Sequence, residues 1–328
     1  MKRELPLVVT LIVEGDRMTV DLTGTAPQVS DRPINMPLHG TVDCAIWLTL
    51  RSILLDSAVY GHIPQNSGLT RPITIMAPKG CLANPVFPAP TIARFCPGNQ
   101  LADTVMKAMS EIAPDKVSAG IGNLRVLAFS GERAEGPWVH MEIFEGSYGG
   151  RHEADGMDAV DTLYANTRNN PVEDIESHLP LRVRCYELRT DAMGYGRWRG
   201  GLGAVREFEL LAEGGVSIEG DGHRHRPWGL DGGAEGYPAT LSLISDGAVR
   251  ELPSKMPYRR VRPGDRFRCV GPCGGGYGRP AERAPEAVRA DVLDGLLSAE
   301  EAARHFGVIL DAALEIDAEA TARARAAL

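Results

Sequence analysis

Gly274-Gly275-Gly276-Tyr277-Gly278-Arg279-Pro280 stands between the strand-like run Arg266 to Val270 and a charged, helix-forming tail. Glycine is selected where a chain needs positive φ or the close approach of another backbone. The stretch therefore reads as a permissive loop that closes a β-rich body, after which the chain turns helical. The same punctuation occurs upstream. Gly200-Gly201-Leu202-Gly203 follows Arg197-Trp198-Arg199, and Pro227-Trp228-Gly229-Leu230-Asp231-Gly232-Gly233 follows His223-Arg224-His225-Arg226. With 37 glycines and 23 prolines gathered into such knots, the sequence specifies a folded protein with many special turns.

A chain of 328 residues has room for a substantial core, and 43% hydrophobic with 24% charged residues is a globular composition. The formal charge of -8 argues against nucleic acid as a partner, since such binders present a basic face. Six scattered cysteines (Cys44, Cys81, Cys96, Cys185, Cys269, Cys273) read as reduced thiols in the cytoplasm. Lys2 and Arg3 ahead of Leu5 to Val13 imitate a signal peptide, but Glu4 and Pro6 interrupt it and no cleavage site follows. No apolar run is long enough to span a bilayer, because Asp43 and Arg51 break the best one. A soluble protein is expected.

Leu5 to Val13 reads as a strand, Gly15-Asp16 as a hairpin turn, and Met18, Val20 and Leu22 as one face of the returning strand. Thr41 is placed to cap a helix carrying Val42, Ala45, Ile46, Leu50, Ile53 and Leu54. A short strand is expected over Ile73 to Met76 and a second helix over Leu101 to Ala113. Strands are then expected over Leu124–Phe129, Trp138–Ile143, Leu181–Leu188, Ala204–Leu211, Val216–Glu219, Thr240–Ile244 and Arg266–Val270. In the tail, Pro285 opens a helix, Ser298-Ala299-Glu300-Glu301 forms a capping box, and Gly307 is a stop. The fold class is α+β. The expected division is an α+β region over 1–120, a glycine-rich β body over 121–280 and a helical tail over 281–328 packed on it.

Four constellations could carry chemistry. Asn166-Thr167-Arg168-Asn169-Asn170-Pro171-Val172-Glu173 holds donors and acceptors in a loop, with Arg168 as a planar fork for a carboxylate or amide. Its plain alternative is a loop that satisfies its own backbone. Asp221-Gly222-His223-Arg224-His225 would put two imidazoles on one face of a strand, beside Asp221; otherwise it is an exposed strand end. His152 to Asp158 places acids after a glycine loop, either for a divalent cation or as a solvated turn. Cys269-Val270-Gly271-Pro272-Cys273 lacks both redox spacing and a second cysteine pair, and is read as packing. No Gly-x-x-x-x-Gly-Lys loop is present, and Gly200 to Gly203 leads into a strand rather than a helix, so no nucleotide site is encoded.

Taken in order, these pieces resemble the hydantoinase B/5-oxoprolinase B family, whose relatives include caprolactamase and the acetone and acetophenone carboxylases. The resemblance runs through Val20 to Gln28, Ile34-Asn35-Met36-Pro37, Ile63 to Gly68 and Arg71-Pro72-Ile73. It continues through Asn166 to Glu173, Arg197 to Gly203, Pro227 to Gly233 and Gly274 to Pro280. It implies one subunit of an ATP-dependent hydrolase that opens a cyclic amide such as 5-oxoproline or a hydantoin. A separate hydantoinase A-type subunit of actin-like fold would bind ATP and phosphorylate the substrate oxygen, and this chain would be inactive without its partners.

The family's N-terminal portion, with an Asn-Asp-Pro-Tyr type segment and Gly-Gly-Thr-His, has no counterpart here. The chain thus resembles the C-terminal part, as half of a split subunit, a truncated product or a specialised small subunit. A divalent metal would belong to the other half, and no metal ligand is carried over. The alternatives are a component of an ATP-dependent ketone carboxylase and a non-catalytic scaffold. The expected substrate-facing residues are Asn166, Arg168, Asp221 and His223. Arg168 would hold a carboxylate while the others order a water or the leaving amine. Trp198 and Trp228 are assigned to packing.

Overall fold

The computed structural model describes residues 4–134 and 136–328; Lys2 and Arg3 of the signal-like start lie outside them. The chain divides into two compact units, Met1–Val117 with Leu163–Asn166, and Ser118–Thr162 with Thr167–Leu328.

In the first unit, β1 (Thr10–Glu14) and β2 (Arg17–Asp21) make the expected antiparallel hairpin around Gly15, which sits at φ +60. The first strand is shorter than the apolar run predicts. β3 (Ile73–Met76) joins β2 in parallel, at the bounds expected from its sequence. Helix α1 (Asp43–Leu54) is not capped by Thr41. Gly40, at φ +88, turns the chain so that Asp43 reaches back, and its carboxylate accepts from the Gly40 and Cys44 amides, both at 2.7 Å. The short α2 (Ser57–Tyr60) is capped by Asp56. Helix α3 (Phe95–Met109) starts ahead of the expected Leu101, because Pro97 falls in the first turn, where an amide has no intrahelical acceptor. α1 and α3 pack together, burying Ala45, Ile46 and Leu50 on one and Leu101, Val105 and Met109 on the other.

The second unit is built on two antiparallel sheets. One contains β4 (Arg125–Arg133), β5 (Gly136–Phe144), β8 (Gly214–Gly220) and β11 (Met256–Val261), in the order β11-β8-β4-β5. The other contains β6 (Leu181–Leu188), β7 (Ala204–Leu210), β9 (Thr240–Ser245), β10 (Ala248–Glu251) and β12 (Arg266–Val270), in the order β10-β9-β12-β7-β6. Their inner faces meet at Phe129, whose ring lies 5.5 Å from Phe208 and 6.3 Å from Phe267. Helix α4 (Val172–His178) lies against β6 and sends Ile175 into this core.

Gly274 to Gly278 does more than close the body. It threads between other extended segments and bonds to several of them. Gly275 donates to Gly120 O at 2.9 Å while its carbonyl accepts from Gly150 at 2.8 Å. Gly274 donates to Gly201 O, and Gly276 to Ala234 O, each at 2.9 Å. A Cβ at Gly200 would overlap the Gly274 carbonyl, and one at Gly275 the Trp228 carbonyl. Backbones approach this closely only where side chains are absent.

Beyond this stack, α5 (Pro285–Leu293), α6 (Ala299–Phe306) and α7 (Ala318–Arg325) follow. Ser298 caps α6 by accepting from the Glu301 amide, and Gly307 ends it at φ +62. Val288, Leu297, Phe306 and Val308 from this tail share a core with Met193, Tyr195 and Leu202. The architecture is α+β.

Candidate functional site

The inner faces of the two sheets change character along their length. On β4 the inward series is Phe129, Leu127, Arg125; on β7 it is Leu210, Phe208, Arg206; on β5 it is Trp138, His140, Glu142, Phe144. One end of the interior is aromatic and aliphatic, and the other carries buried charge.

Arg206, 1% exposed, is the hub of that charged end. It donates to Glu142 Oε2 at 2.8 Å and to the Ile143 carbonyl at 3.1 Å, and Glu145 lies at 3.7 Å. Glu142 Oε1 bonds to His140 Nε2 at 2.7 Å. The guanidinium lies 4.6 Å from the centre of the Tyr186 ring and 5.0 Å from that of Phe144. Burial pushes the Glu145 carboxyl above the usual range; Arg206 opposes the rise, and the nearby Asp161 and Glu142 charges add to it. One Glu145 oxygen and one Asp161 oxygen are buried without a hydrogen-bond partner. A carboxyl so placed is suited to proton transfer.

The polar loop enters this cluster, but not through the residues expected of it. Thr167 donates to Asp161 through its amide, at 2.5 Å, and through its hydroxyl. Asn169 donates to the Tyr186 hydroxyl and accepts from Arg206 at 3.4 Å. Asn166 and Arg168 are exposed, Asn166 in the first unit and Arg168 in the second.

Asp221 and His223 stand together at a second polar place. β8 ends at Gly220, and Gly222 at φ +80 bends the chain, so His223 and His225 occupy a loop rather than one face of a strand. Lys255 donates to the Gly220 carbonyl at 2.7 Å and is paired with Asp221. His223 is half-buried; burial, helped by the Arg125 and Lys255 charges, lowers it to about 4. It is a neutral imidazole at physiological pH. Among the described residues no group of three His, Cys, Asp or Glu is arranged to hold a metal ion.

Two acids of the His152 to Asp158 stretch, Asp155 and Asp158, serve arginines. Asp155 takes Arg283 through two bonds of 2.7 and 2.8 Å, and Asp158 takes Arg199 at 2.8 and 3.2 Å. Cys269 and Cys273 are free and buried, and Cys273 accepts from the Gly203 amide at 3.4 Å.

Arg206, Glu142, Glu145 and Arg125 escaped the sequence reading because each sits in or beside an ordinary strand. A signal was present: Arg206 shares its alternation face with Phe208 and Leu210, so a charge interrupts an otherwise apolar face.

The sequence model of hydantoinase B/oxoprolinase matches residues 1–280. The chain belongs to this family. It is 60% identical over 98% of its length to a protein assigned as the B-type subunit of a D-/L-hydantoinase in Pseudomonas sp. strain NS671, of which it covers 54%. The crystal structure of ATP-dependent caprolactamase from Pseudomonas jessenii superposes with a TM-score of 0.82 at 27% identity, over 98% of this chain and 56% of that one. An acetone carboxylase in its nucleotide-free form gives the same TM-score at 16% identity, over 97% of this chain and 48% of that one, and so shares the fold. The chain spans about half the length of these relatives. No helix among the described residues is long and apolar enough to cross a membrane.

Proposed function

We propose that this chain is part of the B-type component of an ATP-dependent amidohydrolase that opens a cyclic amide such as a hydantoin or 5-oxoproline. The observation that carries the reading is the 60% identity, over 98% of the chain, to the B-type component of a hydantoinase. The likeness to ATP-dependent caprolactamase, whose name also denotes cyclic amide hydrolysis, supports it. ATP would be bound by a hydantoinase A-type partner, which phosphorylates the substrate oxygen and makes the ring carbon electrophilic. Water then attacks that carbon and gives up its protons, the phosphoryl group leaves as inorganic phosphate, the ring C–N bond breaks, and the nitrogen takes a proton. This chain would be inactive alone and would work in the cytoplasm, as its six free thiols suggest.

Within the chain, the raised Glu145 carboxyl suits the handling of that proton, because burial favours its neutral form. Asp221 and the neutral His223 stay in the substrate-facing set, where they order a water or the leaving amine. Asn166 and Arg168, exposed on their loop, would meet a substrate or partner surface presented to it.

The test is purification with the products of adjacent genes, followed by assay for ring-opened product. A stable complex that opens hydantoin or 5-oxoproline only with ATP supports the reading. Bicarbonate-dependent carboxylation of a ketone would replace it with the carboxylase alternative. A complex whose turnover is unchanged by removing this chain would make the chain a scaffold.

A further inference from the structure

Two arginines are buried at the charged end of the sandwich, and they are treated differently. Arg206, on β7, has Glu142 at 2.8 Å and Glu145 at 3.7 Å. Arg125, on β4, is 2% exposed, and among the described residues no carboxylate lies within 4 Å of it. Its Nε and one Nη are buried without an acceptor. Leaving a buried guanidinium uncompensated is costly, so such a group points to an acceptor that arrives from outside the chain.

The surroundings are arranged to admit one. Gly220 is the cross-strand neighbour of Arg125, and a Cβ there would come within 2.6 Å of the arginine's Cγ. The glycine thus makes room for the side chain. The Gly220 carbonyl is held by Lys255 at 2.7 Å, and three residues further on His223 presents a buried Nε2 that also has no partner. Both the Arg125 and Lys255 charges act on this imidazole. Lys255 is partly answered by Asp221, whereas Arg125 has no such carboxylate. Arg125 itself lies deep, whereas the loop carrying Asp221 and His223 is only half-buried.

We propose that Arg125, with Lys255 and His223, binds a carboxylate, either one carried by the cyclic amide or the one released when the ring opens. The planar fork of an arginine matches a carboxylate through two parallel bonds, and the unpartnered Nε and Nη are the donors for it. His223 supplies a neutral donor beside them. The identification of the ligand as substrate or product rests on the amidohydrolase reading, while the anion pocket rests on the geometry alone.

The experiment is calorimetric titration of the chain, without ATP or partner, using N-carbamoylglycine, hydantoin, 5-oxoproline and 2-pyrrolidinone. The first and third carry a carboxylate; the second and fourth are rings without one. Each carboxylate compound is expected to bind at least about tenfold more tightly than its ring counterpart, with the preference lost in Arg125→Met. If Arg125→Met does not fold, Lys255→Met should reduce the same preference, and the NMR titration of His223 should move upward on adding N-carbamoylglycine. A preference for N-carbamoylglycine alone marks a product site, and one for 5-oxoproline alone marks a substrate site. Equal binding of acid and ring, or a preference untouched by both substitutions, overturns the pocket. Carboxylate binding without ATP-dependent ring opening in the complex would instead sink the amidohydrolase reading and leave the pocket standing.

Discussion

Arg206 and Glu142 lie 2.8 Å apart on facing sheets with almost no access to water. Each desolvated charge depends on the other, and the Glu142 carboxylate also holds His140 through its second oxygen. Replacing both by apolar groups of similar shape would cost little, whereas removing one leaves the other exposed to a low dielectric. Glu142→Gln should therefore lower the unfolding free energy by about 3 kcal/mol, and Glu142→Met with Arg206→Met by less. Denaturant unfolding of the two variants checks this ordering.

The glycine stack makes a sharper prediction about where alanine is tolerated. Gly200 is packed against the Gly274 carbonyl, with no side chain nearby that could yield. Gly200→Ala should cost upwards of about 3 kcal/mol or prevent folding. Gly247, at φ +78 in the turn before β10, has open space where a Cβ would go. There Gly247→Ala should cost only about 1–2 kcal/mol, from the left-handed backbone alone. Similar costs at the two sites would contradict the stack.

His223 makes stability depend on pH. The folded state holds the imidazole near 4, below its ordinary value of 6.5, so the unfolded chain binds a proton first as pH falls. The stabilisation is complete above 6.5 and is lost as pH falls from there toward 4. His223→Gln should flatten this part of the curve. Thermal melts of both proteins across that window give the comparison, and parallel curves would count against a buried, neutral His223.

The tail is fastened through Asp291, which accepts from Arg199 at 3.2 Å and from Arg283 at 2.9 Å. Asp291→Asn leaves two buried guanidinium groups short of charge and should loosen α5 and the helices after it. Limited proteolysis should then cut within 285–328 at least about tenfold faster than in the parent, since cleavage tracks the population of the opened form. An unchanged rate would show that the shared apolar core holds the tail without the ion pairs.

Much of the fold was legible where local rules and tertiary packing agree. The bounds of β3 follow from its apolar run and those of β6 and β12 from their alternation of charged and apolar residues, and the ends of the tail helices follow from Ser298, Gly307 and Pro285. β10 and β11 were missed, since they are edge strands whose sequences, AVRE and MPYRRV, carry charge and proline in place of alternation. That the 166–173 loop offers donors and acceptors could be read from its residue types, but not which side chains turn inward. Thr167 and Asn169 make the inward bonds, while Arg168 faces out. Arg125 and Arg206 were hidden for a different reason. Each breaks the rule that charge stays outside, and only the facing sheet shows whether a partner waits for it.

The most direct test is ATP turnover by this chain combined with a hydantoinase A-type subunit and the remaining part of the B-type component, measured with and without hydantoin or 5-oxoproline. The account predicts that ATP hydrolysis and ring-opened product rise together only when chain, partner and cyclic amide are all present. ATP hydrolysis that ignores both the chain and the cyclic amide, with no ring-opened product, would contradict it.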